Sequence, residues 1–126
     1  MLKQAIPVLH VASSAAAAEF YCGALGFGQE FAFRPTMDAD PCYMGLSRDS
    51  AQLHLSSFAG DGVPGGLVYL LVDDVDAVYQ ELLRTGVHVD MVPTDQSWSN
   101  REMYVRDADG NKIAFVQESA PATNGG

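Results

Sequence analysis

A single tryptophan, Trp98, stands in the polar run Gln96-Ser97-Trp98-Ser99-Asn100, just ahead of Arg101 and Glu102. An indole on a loop is costly to leave in water, so it either turns inward as core or forms one wall of a binding site. His54 sits between Leu53 and Leu55 in a strand-like run and therefore points to the opposite face. It reads first as a core or trough histidine with one hydrogen bond, then as a polar contact to a ligand, and last as a metal ligand. His10 and His88 have no companions at metal-binding spacing and read as structural. Cys22 and Cys42 form no C-x-x-C pair, and neither has a His and an acid beside it in sequence, so both read as free thiols. Gly60, Gly62, Gly65 and Gly66 lack the Lys and the helix start that a phosphate loop needs. Asp73-Asp74 precede a helical pattern, where carboxylates cap the first turn and meet its dipole.

The formal charge of −9 leaves no clustered basic surface for a phosphate backbone, which excludes nucleic acid as a partner. A negative field draws in cationic small molecules instead, although acidity also serves plain solubility. No apolar run approaches the roughly 20 residues that span a bilayer, and no signal segment is evident, so the expectation is a cytoplasmic protein. At 126 residues the chain is one domain, or two small halves sharing a core.

These side chains must be positioned by strands and helices that the pattern spells out twice. Ile6–Val11 reads as a strand, with Pro7 marking an edge, a bend or a crossing between subunits. Ser13-Ser14 then caps a helix over Ala15–Ala24, its apolar face formed by Ala16, Phe20 and Ala24 with Ala17, Tyr21 and Leu25, and Gly26 stops it. Phe27–Phe33, Cys42–Ser47 and Ala51–Phe58 read as strands, and 59–66 is a Gly-rich linker. The order repeats: strand Leu67–Val72, a helix Val75–Thr85 capped by Asp73 or Asp74 with Val75, Val78, Tyr79, Leu82 and Leu83 on one face, and a stop at Gly86. Strands Val87–Val92, Met103–Arg106 and Lys112–Gln117 follow, the last two joined by a tight Asp109-Gly110 turn. The tail 119–126 reads as disordered. The expected fold is α+β: two tandem βαβββ modules, about 4–58 and 66–118, forming a curved mixed sheet around a trough with helices on the outer face.

Phe20-Tyr21, Leu25-Gly26-Phe27 and Arg106-Asp107-Ala108-Asp109-Gly110-Asn111 before a final strand, in this order within a βαβββ duplication, resemble the vicinal oxygen chelate superfamily. That group includes glyoxalase I, extradiol dioxygenases, fosfomycin-modifying enzymes and bleomycin resistance proteins. Ile6-Pro7-Val8-Leu9 and Trp98-x-x-Arg101-Glu102 resemble the bleomycin resistance branch in particular.

The resemblance implies four metal-holding strand positions, which fall at Ile6, His54, Leu67 and Ala114. Ile6, Leu67 and Ala114 are aliphatic and cannot donate a lone pair, so no metal, cofactor or catalytic residue is expected. It further implies a drug-binding cleft between two subunits, clamping a planar group between Trp98 and Tyr43, with His54, Ser56, Phe58, Tyr69 and Glu102 lining the same trough. Pro7 matches the proline at which the N-terminal strand crosses to the partner of a homodimer. The expected function is a metal-free, non-enzymatic protein that sequesters a cationic, aromatic antibiotic of the bleomycin type. The alternatives are a metal-dependent enzyme of the same superfamily and a binder of a different small-molecule drug.

Overall fold

Gly26 and Gly86 adopt the left-handed conformation, at φ 79° and 77°, and each ends the helix of one of two similar halves. The computed structural model describes residues 1–119. In these, β1 (Val8–His10), α1 (Ser14–Ala18), β2 (Gly28–Phe33), β3 (Tyr43–Arg48) and β4 (Ala51–Ser56) make the first half. The second is β5 (Leu67–Leu71), α2 (Val75–Thr85), β6 (Val89–Asp95), β7 (Arg101–Arg106) and β8 (Lys112–Gln117). The α+β duplication is therefore present. Its strands form two four-stranded sheets, ordered β1-β4-β3-β2 and β5-β8-β7-β6, rather than one continuous sheet. In each the outer pair, β1·β4 or β5·β8, is parallel and the remaining ladders are antiparallel.

The second helix starts where Asp74, not Asp73, accepts a hydrogen bond from the Ala77 N–H at 3.1 Å. Val75 and Leu82 are buried, whereas Leu83 is exposed and lies off the apolar stripe. The first helix is capped by Ser13, whose Oγ accepts from the Ala16 N–H at 3.2 Å. Beyond Ala18 it widens into a π-helical stretch, Glu19–Ala24, with the Leu25 N–H donating to the Phe20 carbonyl. The buried stripe is Ala17, Tyr21 and Leu25, while Ala16 is exposed. Four residues overshoot an α-helical turn by about 40°. A wider turn brings Tyr21 and Leu25 back into line over the same core.

The strand ends shift for local reasons. Ile6 and Pro7 lie outside β1; Pro7 has no N–H to give, though its carbonyl accepts from the His54 N–H at 2.9 Å. β4 stops at Ser56 because the Ser56 hydroxyl takes the Phe58 N–H at 3.1 Å. The β7–β8 connection spans 107–111 rather than a two-residue turn. Asp107 Oδ1 accepts from the N–H groups of Asp109 (2.9 Å) and Asn111 (2.8 Å), and only Gly110 takes a positive φ, 80°.

That turn also ties the halves together. Asp107 Oδ2 accepts from the Tyr21 hydroxyl at 2.7 Å and from Asn111 Nδ2 at 2.9 Å. Asn111, fully buried, also donates to the His10 carbonyl and accepts from the Gly66 N–H, both at 2.8 Å. Burial, reinforced by Asp107, pushes the Tyr21 hydroxyl well above the usual tyrosine value. Leu9, Leu53, Leu55, Met44 and Leu46 of the first sheet and Val68, Met103, Val105, Ile113 and Phe115 of the second belong to one apolar core, with Tyr21, Leu25, Val75 and Leu82 from the helical segments. Each sheet thus turns one face and its helix to a shared core and leaves the other face free of helix. Among the described residues no helix is long and apolar enough to cross a membrane. The expected tail falls almost wholly on 120–126, outside the described residues.

Candidate functional site

The residues with binding potential lie on the two helix-free faces. On the second sheet, β6 and β7 are joined by a turn that closes on itself. Gln96 N–H donates to the Asn100 carbonyl at 2.7 Å and Ser99 N–H to the Gln96 carbonyl at 3.0 Å, with Ser99 at φ 76°. Trp98 is carried at its tip and is 56% exposed. The indole N–H donates to Glu102 Oε2 at 2.8 Å, and the Tyr104 hydroxyl donates to Oε1 at 2.6 Å. Glu102 itself has no exposed surface.

Burial works to raise the Glu102 carboxyl, but the bonds from Tyr104, Trp98 and Asn100 and the charge of Lys112 outweigh it and hold it below the usual carboxylate range. The same carboxylate, with burial and Tyr69 adding, pushes the Tyr104 hydroxyl up to about 12. Lys112 Nζ lies 3.9 Å over the Tyr104 ring, a cation–π contact. Tyr69 pairs with Ala114, which pairs with Tyr104, so Tyr69 extends the same row and is half exposed.

On the first sheet the outward rows are Val8–His54–Gly45–Phe31 and His10–Ser56–Tyr43–Phe33. The Tyr43 hydroxyl and His54 Nδ1 are hydrogen-bonded at 2.8 Å. The Phe31 ring lies over Gly45, where a Cβ would collide with it, and meets His54 edge-on at 5.4 Å and Tyr43 nearly parallel at 6.2 Å. Phe33 and Phe58 form a second near-parallel pair at 6.2 Å. Ser56 is fully buried, its hydroxyl donating to Asp61 Oδ2 at 2.8 Å.

Of the residues expected from sequence, Tyr43, His54, Ser56 and Phe58 therefore belong to the first sheet, and Trp98, Tyr69 and Glu102 to the second. The common core lies between these faces, so a single chain does not bring Trp98 and Tyr43 together. A cleft of about 480 Å³ does open between the β3–β4 turn and the start of α2, lined by Phe27, Arg48, Leu70, Asp73, Asp74 and Phe115 among others, and it contains none of the expected binding residues. Four side chains of these faces escape the sequence reading: Phe31, Phe33, Tyr104 and Lys112. The two-residue period of Phe31 and Phe33, and the step of two from Glu102 to Tyr104, are the signals that place them there.

The donor set does not suit a divalent metal. His54 has Val8, rather than Ile6, beside it on β1 and Gly45 on its other side. On the second sheet Leu67 pairs with Lys112, and Ala114 with Tyr69 and Tyr104. Among the described residues no three His, Cys, Asp or Glu side chains are grouped to hold a metal ion, and such ions in protein sites take three or more ligands.

Comparison with known proteins agrees with this architecture. The profile of the Glyoxalase/Bleomycin resistance protein/Dioxygenase superfamily matches residues 5–115. A bleomycin resistance determinant encoded on the transposon Tn5 is 25% identical, with a TM-score of 0.75 over 94% of this chain and 100% of that one. TnmS3, an antibiotic binding protein from Streptomyces sp. CB03234, is 27% identical, with a TM-score of 0.70 over 94% and 99%. A bleomycin-binding protein complexed with bleomycin shares the fold at 24% identity and a TM-score of 0.74, over 94% and 100%. Among curated proteins none matches. With 111 consecutive residues under the profile and both modules in place, the chain belongs to the Glyoxalase/Bleomycin resistance protein/Dioxygenase superfamily.

Proposed function

We propose that this protein binds a cationic small-molecule antibiotic with a planar aromatic part, of the bleomycin type, and sequesters it in the cytoplasm without making or breaking a bond. The observation that carries this reading is Trp98: a large ring left half in water at the tip of a closed turn, with its N–H already satisfied by Glu102. Such a ring is a stacking wall awaiting a planar partner. The chain's net charge of −9 favours a cation. The relatives described as a bleomycin resistance determinant and as an antibiotic binding protein are 25% and 27% identical and support the same class of ligand.

A homodimer completes the site in this proposal. Phe31, Phe33, Leu67, Tyr69 and Leu71 are each at least 45% exposed, all on helix-free faces that a second copy would cover. Trp98 and Tyr69 of one chain then face the partner subunit's Tyr43. His54 and Phe58 line the first-sheet wall, with Ser56 behind it and Glu102 behind Trp98. Pro7 marks where the N-terminal segment crosses. Micromolar affinity corresponds to about −8 kcal/mol; two stacked rings supply about 1–3 kcal/mol of it beyond the area they bury, and the buried ring area and a complementary charge are to supply the rest. The rival, a metal-dependent enzyme of the superfamily, has the aliphatic side chains of Val8, Leu67 and Ala114 against it.

Calorimetry and Trp98 fluorescence with bleomycin, a mitomycin and an unrelated cationic drug, with and without added Zn²⁺, test the reading. Saturable quenching by bleomycin, independent of metal, is expected. No heat and no change in emission would remove it, and more than half an equivalent of tightly held metal in the purified protein would favour the rival. Sedimentation at micromolar concentration tests the dimer, which a monomer refutes.

A further inference from the structure

Glu102 faces the proposed cleft by its place in the sheet, yet none of its surface is exposed. Both carboxylate oxygens are engaged, Oε2 by the Trp98 indole at 2.8 Å and Oε1 by the Tyr104 hydroxyl at 2.6 Å. The charge of Lys112, which lies over the Tyr104 ring, opposes that of the carboxylate. A cationic ligand reaching Glu102 would have to displace the side chains that cover it and would find the charge already balanced. The indole is the opposite case. It is exposed, and its backbone is held by the closed turn, but an unanchored tryptophan at a turn tip samples several rotamers.

We propose that Glu102 is a positioning residue: its carboxylate fixes the Trp98 indole as a wall before the ligand arrives, and its charge is not what recognises the ligand. This rests on the binding function proposed above. Immobilising one rotamer-rich side chain in advance of binding is worth about a two- to tenfold gain in affinity. Glu102 thereby links the two outward rings of β7 and its turn, since Tyr104 is held by the same group.

The test uses the full chain and Glu102→Gln. A carboxamide lacks the charge and has one acceptor atom in place of two, so the Trp98 indole keeps at best a weaker, neutral hydrogen bond, and Tyr104 must share that oxygen or become the acceptor of the amide N–H. The lone tryptophan gives one indole N–H resonance and one emission band, which report on the anchor without any ligand. In Glu102→Gln the resonance should move and exchange faster with water, and acrylamide should quench Trp98 more efficiently. The Kd for bleomycin should rise about two- to tenfold with the salt dependence of binding unchanged. An unchanged resonance and unchanged quenching would overturn the proposal. So would a flatter salt dependence, the mark of a charge touching the ligand. If the wild type binds no bleomycin, the binding function fails while the resonance and quenching still decide the anchor. If Glu102→Gln does not fold, Trp98→Phe keeps a ring and loses the N–H at an exposed site. It should lose affinity to a similar extent, and wild-type affinity in that variant overturns the proposal.

Discussion

β7 is bounded by two turns of opposite character. The turn over 107–111 faces inward: Asp107 collects four donors, Asn111 is fully buried, and its bonds reach Tyr21, His10 and Gly66 in distant parts of the chain. The turn over 96–100 closes its backbone on itself, reaches only the adjoining strands through Gln96 to Met91 and Trp98 to Glu102, and presents Trp98 to solvent. One strand thus separates a clasp between modules from a platform for a ligand. Polar side chains serve both, but at 107–111 their partners are protein groups that burial leaves no alternative, whereas at 96–100 a bare ring keeps its face free. The difference predicts that substitutions at the two ends separate stability from binding.

The largest effect belongs to Asn111→Ala. It strands the Gly66 N–H and the His10 carbonyl and removes a donor from Asp107, all part-buried around a fully buried amide. Each unsatisfied buried group costs about 1–3 kcal/mol, so a loss of about 3 kcal/mol or more is expected. Urea unfolding checks this as a lower midpoint at unchanged slope. A loss below about 1 kcal/mol would mean that water replaces the amide and that the turn is no clasp.

Tyr21→Phe is the next in size. It takes one donor from the Asp107 carboxylate and should cost about 1.5–3 kcal/mol, the range for a hydrogen bond to a charged group. It also carries a pH signature. The hydroxyl is raised in the folded state, so above the ordinary value near 10 the unfolded chain releases a proton that the native chain keeps. Its contribution is complete below that value and falls as pH rises. The wild type should therefore lose stability in the alkaline range more steeply than Tyr21→Phe. Parallel curves would show that the hydroxyl does not titrate late.

Much of this contrast is legible in the sequence, and the rest has a physical reason for being hidden. Asp74 and Gly86 bound α2 as read because a cap and a left-handed stop depend on neighbours within four residues. Asp109-Gly110 announces a turn, but its length is set by the Asp107 side chain, which gathers the N–H groups of Asp109 and Asn111. That Tyr21 donates to Asp107, 86 residues away, leaves no local trace, and neither does the π-helical widening that lines Tyr21 up with Leu25. Alternation sets Tyr43 off the core face, and the polar run 96–100 carries Trp98 on a turn beside β7. Neither signal states that the two belong to different sheets, because a period of two fixes the face of a strand and not the arrangement of sheets.

At the platform end the acid limb should report Glu102. Its carboxyl is lowered in the folded state, so its contribution is present above the ordinary value of 4.5 and is lost as pH falls through the folded one. Glu102→Gln should flatten that part of the stability curve and also ease the alkaline limb, because the Tyr104 hydroxyl that this carboxylate holds at about 12 returns toward its ordinary value. Tyr21→Phe should ease the alkaline limb alone. A Tyr21→Phe variant that also altered the acid limb would join the two turns into one unit.

Trp98→Ala closes the series with the smallest expected change in stability. The ring is 56% exposed and its removal opens no cavity in the shared core, and water entering the vacated site can replace the donor that the Glu102 carboxylate loses, so a cost of about 1 kcal/mol is expected. It does release Glu102 Oε2 from its donor, and Asn100 and the Tyr104 hydroxyl remain to hold the carboxylate. Binding should move in the opposite sense: losing one stacking wall removes about 0.5–1.5 kcal/mol of ring interaction plus the buried area, an affinity loss of roughly tenfold or more for bleomycin. Thermal unfolding within about 5 °C of wild type together with that loss would fix the division of labour along β7. A large fall in stability with affinity unchanged would place Trp98 with Asn111, as a structural ring that happens to face water.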